Sequence, residues 1–376
     1  MRITFVLPRR SEYAVGGYAV VYEHASRLAR RGHAVRVTHI GRLDRRRPRD
    51  VIRQVAAVAR PRPVAVAWRE VDPAVCLLDF PVLTPAVYRH SDVVVATAWN
   101  TAAALGCRLG RRRTPPGAYL LQHHETWGGE ERVNDTWRLP LAHIAVSSWL
   151  AELSLELAGV AAFRVPNAID TDTFRIVRDP RTRPPHVAML FHTAPWKGSR
   201  DGIEALRLAK ERMPQLGATL FGTFERPSGL PEWIDYAFRA DEATLLEIYN
   251  RSAVFLSPSH AEGFGLPLAE SMACGAALVS TAIPGVADFA RQGETALLVP
   301  PGRPAEMAGA LCRLLADPTQ RLRLAHAGAR VVREELDWES SARKLEDALA
   351  ATAARTARTA GTHRAAGTHR AAGRRR

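Results

Sequence analysis

Short apolar runs alternate with stretches of helical periodicity along almost the whole chain. This alternation restricts the fold more than any other feature. Residues 3–7 read as a buried strand, and Val20, Val21, Ala25, Leu28 and Ala29 then recur at three- and four-residue spacing within a helix over 18–31. Gly32 ends that helix, and residues 34–40 read as the next strand. Strand, helix, strand is a βαβ unit, which implies parallel neighbours and a right-handed crossover. Residues 51–58 look helical, and 75–78, 93–96, 119–122 and 144–147 are further short strands.

A second series follows the polar, Pro-rich stretch 178–185, which reads as a domain linker. Strands are expected at 187–191, 218–221, 254–257, 278–280 and 296–299, and helices at 199–213, 242–251, 267–273, 304–316 and 318–335. The expected organisation is an α/β chain of two Rossmann-like, doubly wound domains, 1–177 and 186–351, facing each other across a cleft. The final helix is expected to pack back on the first domain. Ligands of such sheets sit at the carboxyl ends of the strands. From residue 352 a Gly-Thr-His-Arg-Ala-Ala repeat lacks large apolar residues, so 352–376 is expected to be a disordered basic tail.

Charge bears on partners. The chain has 376 residues and a net charge of +14. Residues 1–175 hold 25 basic against 16 acidic side chains, 176–350 hold 20 against 22, and the remaining 26 hold 7 against none. The basic first half and tail suit anionic partners, a nucleotide phosphate or an anionic membrane met peripherally; nucleic acid is not the expected partner. Arg45–Arg47 and Arg111–Arg113 are examples of Arg-rich patches. No apolar run approaches the roughly 20 residues of a membrane span. Four cysteines, Cys76, Cys107, Cys274 and Cys312, lie far apart, which argues against a zinc or disulfide framework and for a cytoplasmic protein.

The richest segment is 257–275. A strand ends near Ser257, a loop with Gly263 and Gly265 follows, and Pro267 suits the first position of a helix. Loop amides and a helix N-terminus make an anion site. Glu262 is placed in the loop and Glu270 in the first turn of the helix, where both can face one ligand as acceptors for sugar hydroxyls. With Gly263-Phe264-Gly265 between them, these acids resemble the E-x₇-E signature of the retaining family-4 glycosyltransferases, which have the GT-B fold. Gly16-Gly17 and the helix after them, the segment 165–174, the turn 194–198, and the segments 284–286 and 293–299 resemble further parts of that family in the same order.

The resemblance implies roles. Glu270 would hold the ribose of a nucleotide donor and Glu262 its sugar. The amides of Gly263, Phe264, Gly265 and Leu266 would line sugar and phosphate, and the backbone at Gly16 and Gly17 would approach the phosphates. Lys197 would neutralise the diphosphate, where charge builds on the leaving group. Five residues before that lysine the family carries an arginine; here stands His192, and Arg200 or Arg239 is a candidate to compensate. The loop after residue 122 contains His123 and His124 and resembles the family's His-containing loop, with His124 taken as the catalytic one. The nucleobase is expected near 221–223 and 238–240.

The expected activity is retaining transfer of a sugar from a nucleoside diphosphate to a hydroxyl acceptor on a glycan, lipid or small metabolite. No cofactor is expected, and metal-independent transfer is the simpler expectation. A full G-x-G-x-x-G after the first strand is missing, which argues against a nicotinamide dehydrogenase. Two rivals remain: an epimerase or phosphorylase of the same fold, and a catalytically silent sugar-nucleotide or polyanion binder.

Overall fold

The computed structural model describes residues 1–43, 62–106, 108–109 and 114–371, with side chains described as far as residue 354. The helix expected at 51–58, Cys107 and both Arg runs lie outside the described residues. The chain divides into two compact units. Unit 1 comprises 1–146, 150–165 and 342 onward; unit 2 comprises 147–149 and 166–341.

Unit 1 is built on an eight-stranded sheet. In chain order its elements are β1 (Arg2–Leu7), α1 (Gly16–Arg30), β2 (Ala34–Arg42), β3 (Arg62–Pro63), β4 (Cys76–Val82), β5 (Val93–Ala96), α2 (Trp99–Gly106), β6 (Gly117–Leu121), α3 (Glu130–Trp137), β7 (Ala142–Ala145), α4 (Ser148–Ala158) and β8 (Phe163–Arg164). The strand order is β3-β4-β2-β1-β5-β6-β7-β8, parallel except for the β3–β4 pair. The central strands β1 and β5 are buried almost throughout; β5, Val-Val-Val-Ala, is buried at every position.

Unit 2 follows the same logic with β9 (His186–Leu190), α5 (Ser199–Arg212), β10 (Gly217–Gly222), β11 (Ile234–Phe238), α6 (Glu242–Arg251), β12 (Val254–Ser257), α7 (Leu266–Ala273), β13 (Ala277–Thr281), β14 (Ala296–Val299), α8 (Pro304–Ala316) and α9 (Pro318–Glu335). The sheet is all parallel, in the order β11-β10-β9-β12-β13-β14. Leu206 and Ala209 of α5 share one apolar cluster with Leu311 and Leu314 of α8 and with Val187, Leu220, Val254 and Leu256 of the sheet. Strand order reverses between β9 and β12, which pair although an entire βαβ series separates them in sequence. At such a reversal the two flanking crossovers lie on opposite faces, and their loops part to leave room at the carboxyl ends.

α6, β12, β14, α8 and α9 have the bounds expected from sequence. Three readings change. Gly16 and Gly17 open α1 instead of ending a loop. Residues 178–185 are no free linker: Arg183 is buried, and its guanidinium donates to the carbonyls of Tyr249, Ser252, Arg178 and Cys274, so the segment is riveted into unit 2. The unit boundary falls after Val165 instead. The final helix, α10 (Trp338–Ala371), returns to unit 1, where Glu346 accepts from Arg31 at 2.7 Å and meets the His33 ring at 2.8 Å. The tail expected from 352 begins within this helix: Thr352 is buried, and its hydroxyl donates to the Ala348 carbonyl at 2.7 Å. Residues 372–376 lie outside the described residues. Among the described residues, no helix is long and apolar enough to cross a membrane.

Candidate active site

The carboxyl ends of β9 and β12, at the order reversal of unit 2, bring two of the expected residues into contact. Lys197 Nζ donates to both carboxylate oxygens of Glu262, at 2.7 and 2.8 Å. Lys197 ends a single 3₁₀ turn, Pro195–Lys197, in the loop leaving β9. Glu262 lies in the loop leaving β12 and is only 7% exposed. Reading it as a solvated loop acid is therefore excluded. A buried carboxylate needs a partner, and it has two: the ammonium, and the buried Ser259 hydroxyl, which donates to Oε1 at 2.8 Å.

The two loops are clamped by backbone. The Trp196 carbonyl accepts from the amides of His260 at 2.7 Å and Ala261 at 3.3 Å. Gly198 takes φ +59°, and a Cβ there would stand 2.0 Å from the Pro258 carbonyl oxygen. Only glycine permits both the left-handed turn and the close approach. Gly265, at φ +93°, caps α7, and Pro267 stands in its first turn. For Phe264 the expectation concerns the amide alone. The residue is 3% exposed and packs on Phe289 at 5.3 Å between ring centroids, so only its backbone can line a ligand.

Glu270 stands in the second turn of α7, whose first turn contains no acid. This is one turn later than expected from the sequence, beyond the turn where the helix dipole acts most strongly on an acid. Its Oε2 accepts from the buried Tyr249 hydroxyl at 3.0 Å. His192, just past β9, accepts the Ala194 amide at Nδ1 at 2.9 Å, which leaves the ring proton on Nε2. Burial pushes this imidazole below its ordinary pKa, Lys197 pushes the same way and Glu262 opposes. His192 is therefore a neutral hydrogen-bond donor in the resting protein, where an arginine would be a fixed cation. Its ring meets Phe224 edge-on at 4.9 Å. Phe224 and Phe238 are exposed aromatics in the loop after β10 and at the end of β11. Arg239 follows in a left-handed conformation, φ +52°, its amide bonded to the Gly222 carbonyl at 2.7 Å.

In unit 1, Gly16 and Gly17 open α1, and a Cβ on Gly17 would lie 3.3 Å from the Gln122 amide. His124, past β6, shares a 2.7 Å hydrogen bond between Nε2 and Asn134 Oδ1, and its ring stands edge-on to Trp137. With Oδ1 as the acceptor, Nε2 carries the proton and Nδ1 is the acceptor nitrogen. Glu125 beside it is half-buried and accepts the Trp99 amide at 2.6 Å at the start of α2. Burial raises its pKa to about 7, against the opposing pull of Trp99 and Tyr119.

Sequence reasoning missed Ser259, Tyr249, Asn134 and Glu125. Only Ser259 carried a signal, lying within the same loop as Glu262. Among the described residues, no three His, Cys, Asp or Glu side chains gather as a metal set.

Comparison with known proteins bears on the same stretch. Residues 186–317 match the family model described as Glycosyl transferases group 1. The matched stretch lies within unit 2. The chain is 35% identical over 133 residues to D-inositol 3-phosphate glycosyltransferase of Thermomonospora curvata, covering 34% of this chain and 31% of that protein. It spans about half or less of the curated relatives it matches. Among solved structures, sucrose-phosphate synthase from Thermosynechococcus elongatus superposes with a TM-score of 0.73 at 20% identity, covering 92% of this chain and 97% of that one. Anabaena HepE in complex with UDP-glucose superposes with a TM-score of 0.70 at 15% identity, covering 93% and 100%. These likenesses identify the GT-B fold.

Proposed function

We propose that the protein is a retaining glycosyltransferase that moves a sugar from a nucleoside diphosphate to a hydroxyl acceptor. The observation that carries this reading is the Lys197–Glu262 pair, a cation and an acid in contact at the strand reversal of unit 2, within the stretch that matches the group 1 model. In the resting protein each neutralises the other. A bound diphosphate gives Lys197 a stronger anionic partner and leaves Glu262 to accept hydroxyls of the donor sugar. His192 adds a neutral donor from Nε2, and Glu270 takes the ribose. The amides of Gly263 to Leu266 line the sugar and phosphate.

In the transfer step the bond between C1 of the sugar and the phosphate oxygen breaks, and a bond from the acceptor oxygen to C1 forms on the same face. The departing phosphate takes the acceptor proton. The protein supplies position and charge, with no covalent sugar–enzyme step and no metal. For unit 1, the family resemblance implies roles for the backbone at Gly16 and Gly17 and for His124, whose Nδ1 is an acceptor suited to a hydroxyl. The scattered cysteines support a reducing, cytoplasmic setting, and the basic first half and tail suit peripheral contact with an anionic membrane.

Thermal stabilisation by a panel of nucleotide sugars tests donor binding, beginning with UDP-glucose, the ligand in the HepE structure. Release of free nucleotide only when an acceptor is present identifies transfer and excludes both epimerisation and silent binding. If no nucleotide sugar stabilises the protein, the reading fails.

A further inference from the structure

We propose that Tyr249 is a positioning residue whose buried hydroxyl sets the Glu270 carboxylate for a ribose diol. The inference rests on the reading that Glu270 binds the donor's ribose, and goes beyond it by naming the group that holds the acid in place.

Tyr249 lies on α6 and is 0% exposed. Its ring meets Phe174, Phe221 and Phe255 edge-on, at centroid distances of 5.9, 5.6 and 5.8 Å. Three aromatic neighbours leave the ring one place to stand, and so fix the hydroxyl. That hydroxyl donates to Glu270 Oε2 at 3.0 Å. Burial, and next Glu270 itself, hold the phenol pKa well above its ordinary value, so the group stays a donor.

The helices carrying the two residues are tied to one guanidinium. Arg183 Nη1 donates to the carbonyls of Tyr249 and Ser252 at the end of α6, at 3.3 and 3.0 Å, and Nη2 donates to the Cys274 carbonyl at the end of α7, at 2.6 Å. Asn250 locks the same end of α6 by accepting from the Val177 amide at 2.8 Å and donating to the Arg175 carbonyl at 3.0 Å. The spacing of Tyr249 and Glu270 is thus set by the frame before any ligand arrives. A carboxylate with one oxygen fixed has its plane fixed, which is what two adjacent hydroxyls require of a common acceptor.

Calorimetry tests this with the nucleoside diphosphate that binds best among UDP, GDP and ADP, and with its 2′-deoxy and 3′-deoxy forms. Wild type is expected to prefer the ribose form. Tyr249→Phe keeps the ring and the fold. It is expected to weaken the ribose form by roughly tenfold, the scale of one hydrogen bond to a charged group, and to leave the deoxy forms unchanged. Donor KM rises more than kcat falls. Equal weakening of all three ligands by Tyr249→Phe would mean a merely structural role and overturns the proposal. If Glu270→Ala abolishes the ribose preference while Tyr249→Phe retains it, the positioning role fails alone. If Glu270→Ala retains the preference, the reading of Glu270 fails and the proposal with it.

Discussion

The two units hold their candidate residues at equivalent places, the carboxyl ends of parallel strands, but by opposite means. In unit 2 the groups are charged and paired with each other: Lys197 on Glu262, with Ser259 beneath. Their loops are locked by backbone contacts that only glycine at 198 allows. In unit 1 the groups are held by neutral neighbours: His124 by Asn134, and the half-buried Glu125 by the amide at the start of α2. A charged pair that must exchange partners stores its specificity in electrostatics, whereas a hydrogen-bonded histidine contributes one directional contact. Side chains should therefore matter far more in unit 2 than in unit 1.

The largest expected effect lies in turnover. Lys197→Ala should lower kcat by about 10²- to 10³-fold, the loss typical of removing one preorganised group from a developing negative charge. His124→Ala should cost about tenfold, one hydrogen bond. Steady-state rates on both variants check the ranking. Equal losses would break the comparison and promote His124 to a proton-transfer role.

Backbone comes next. Gly198→Ala places a Cβ 2.0 Å from a carbonyl oxygen in a left-handed turn, and should destabilise by about 3 kcal/mol or prevent folding. Gly17→Ala meets only a side-chain amide at 3.3 Å, at the start of a helix, and should shift stability by about 0.5 kcal/mol or less. Urea midpoints separate the two. A large loss at Gly17 would show that unit 1 is locked as tightly as unit 2.

Glu125 gives unit 1 a pH signature. Its folded pKa, about 7, lies above the ordinary 4.5. A raised carboxyl pKa contributes stability that is fully present below 4.5 and lost as pH rises through 7. Glu125→Gln keeps an oxygen for the Trp99 amide but cannot ionise. It should be more stable than wild type at pH 8, with a ceiling of roughly 3 kcal/mol, and should gain nothing at pH 4.5. Denaturation at the two pH values decides; a gain equal at both would rule out ionisation as its source.

Legibility differed between the units for a physical reason. In unit 2 the strands other than β11 are short, largely buried apolar runs, and three helices are announced by the cap Asp241 and by Pro304 and Pro318 at their first positions, so bounds could be read directly. Glu262 and Lys197 stood out because charge in a Gly-containing loop after a buried strand has few structural uses, and Glu270 because its spacing from Glu262 resembles a family signature. β11, α2, α3 and α4 were missed. β11 is a half-buried edge strand with an Asp in it, α3 is mostly polar, and α2 lacks a capping signal. Arg183 shows the limit most clearly. In sequence it sits in a polar, Pro-rich stretch, and nothing local says that four carbonyls converge on it from elements as far away as Cys274.

His192 gives the finest test of the comparison, because it puts one neutral donor inside the charged site. Its pKa is depressed by burial and by Lys197, so it is uncharged at neutral pH when the site is empty. A diphosphate could reverse that by adding negative charge nearby, or could simply accept the Nε2 proton as a hydrogen bond. The two cases differ in proton count. Binding calorimetry in buffers of different ionisation enthalpy should show no His192-dependent proton uptake from pH 6.5 to 8. His192→Asn, which retains an amide donor, should weaken binding by about tenfold or less, in a constant ratio to wild type across that range. Comparing the variant with wild type cancels the ligand's own ionisation. A ratio that widens towards pH 6.5, with proton uptake lost in the variant, would show that the imidazole becomes a cation on binding and stands in for the arginine the family places there.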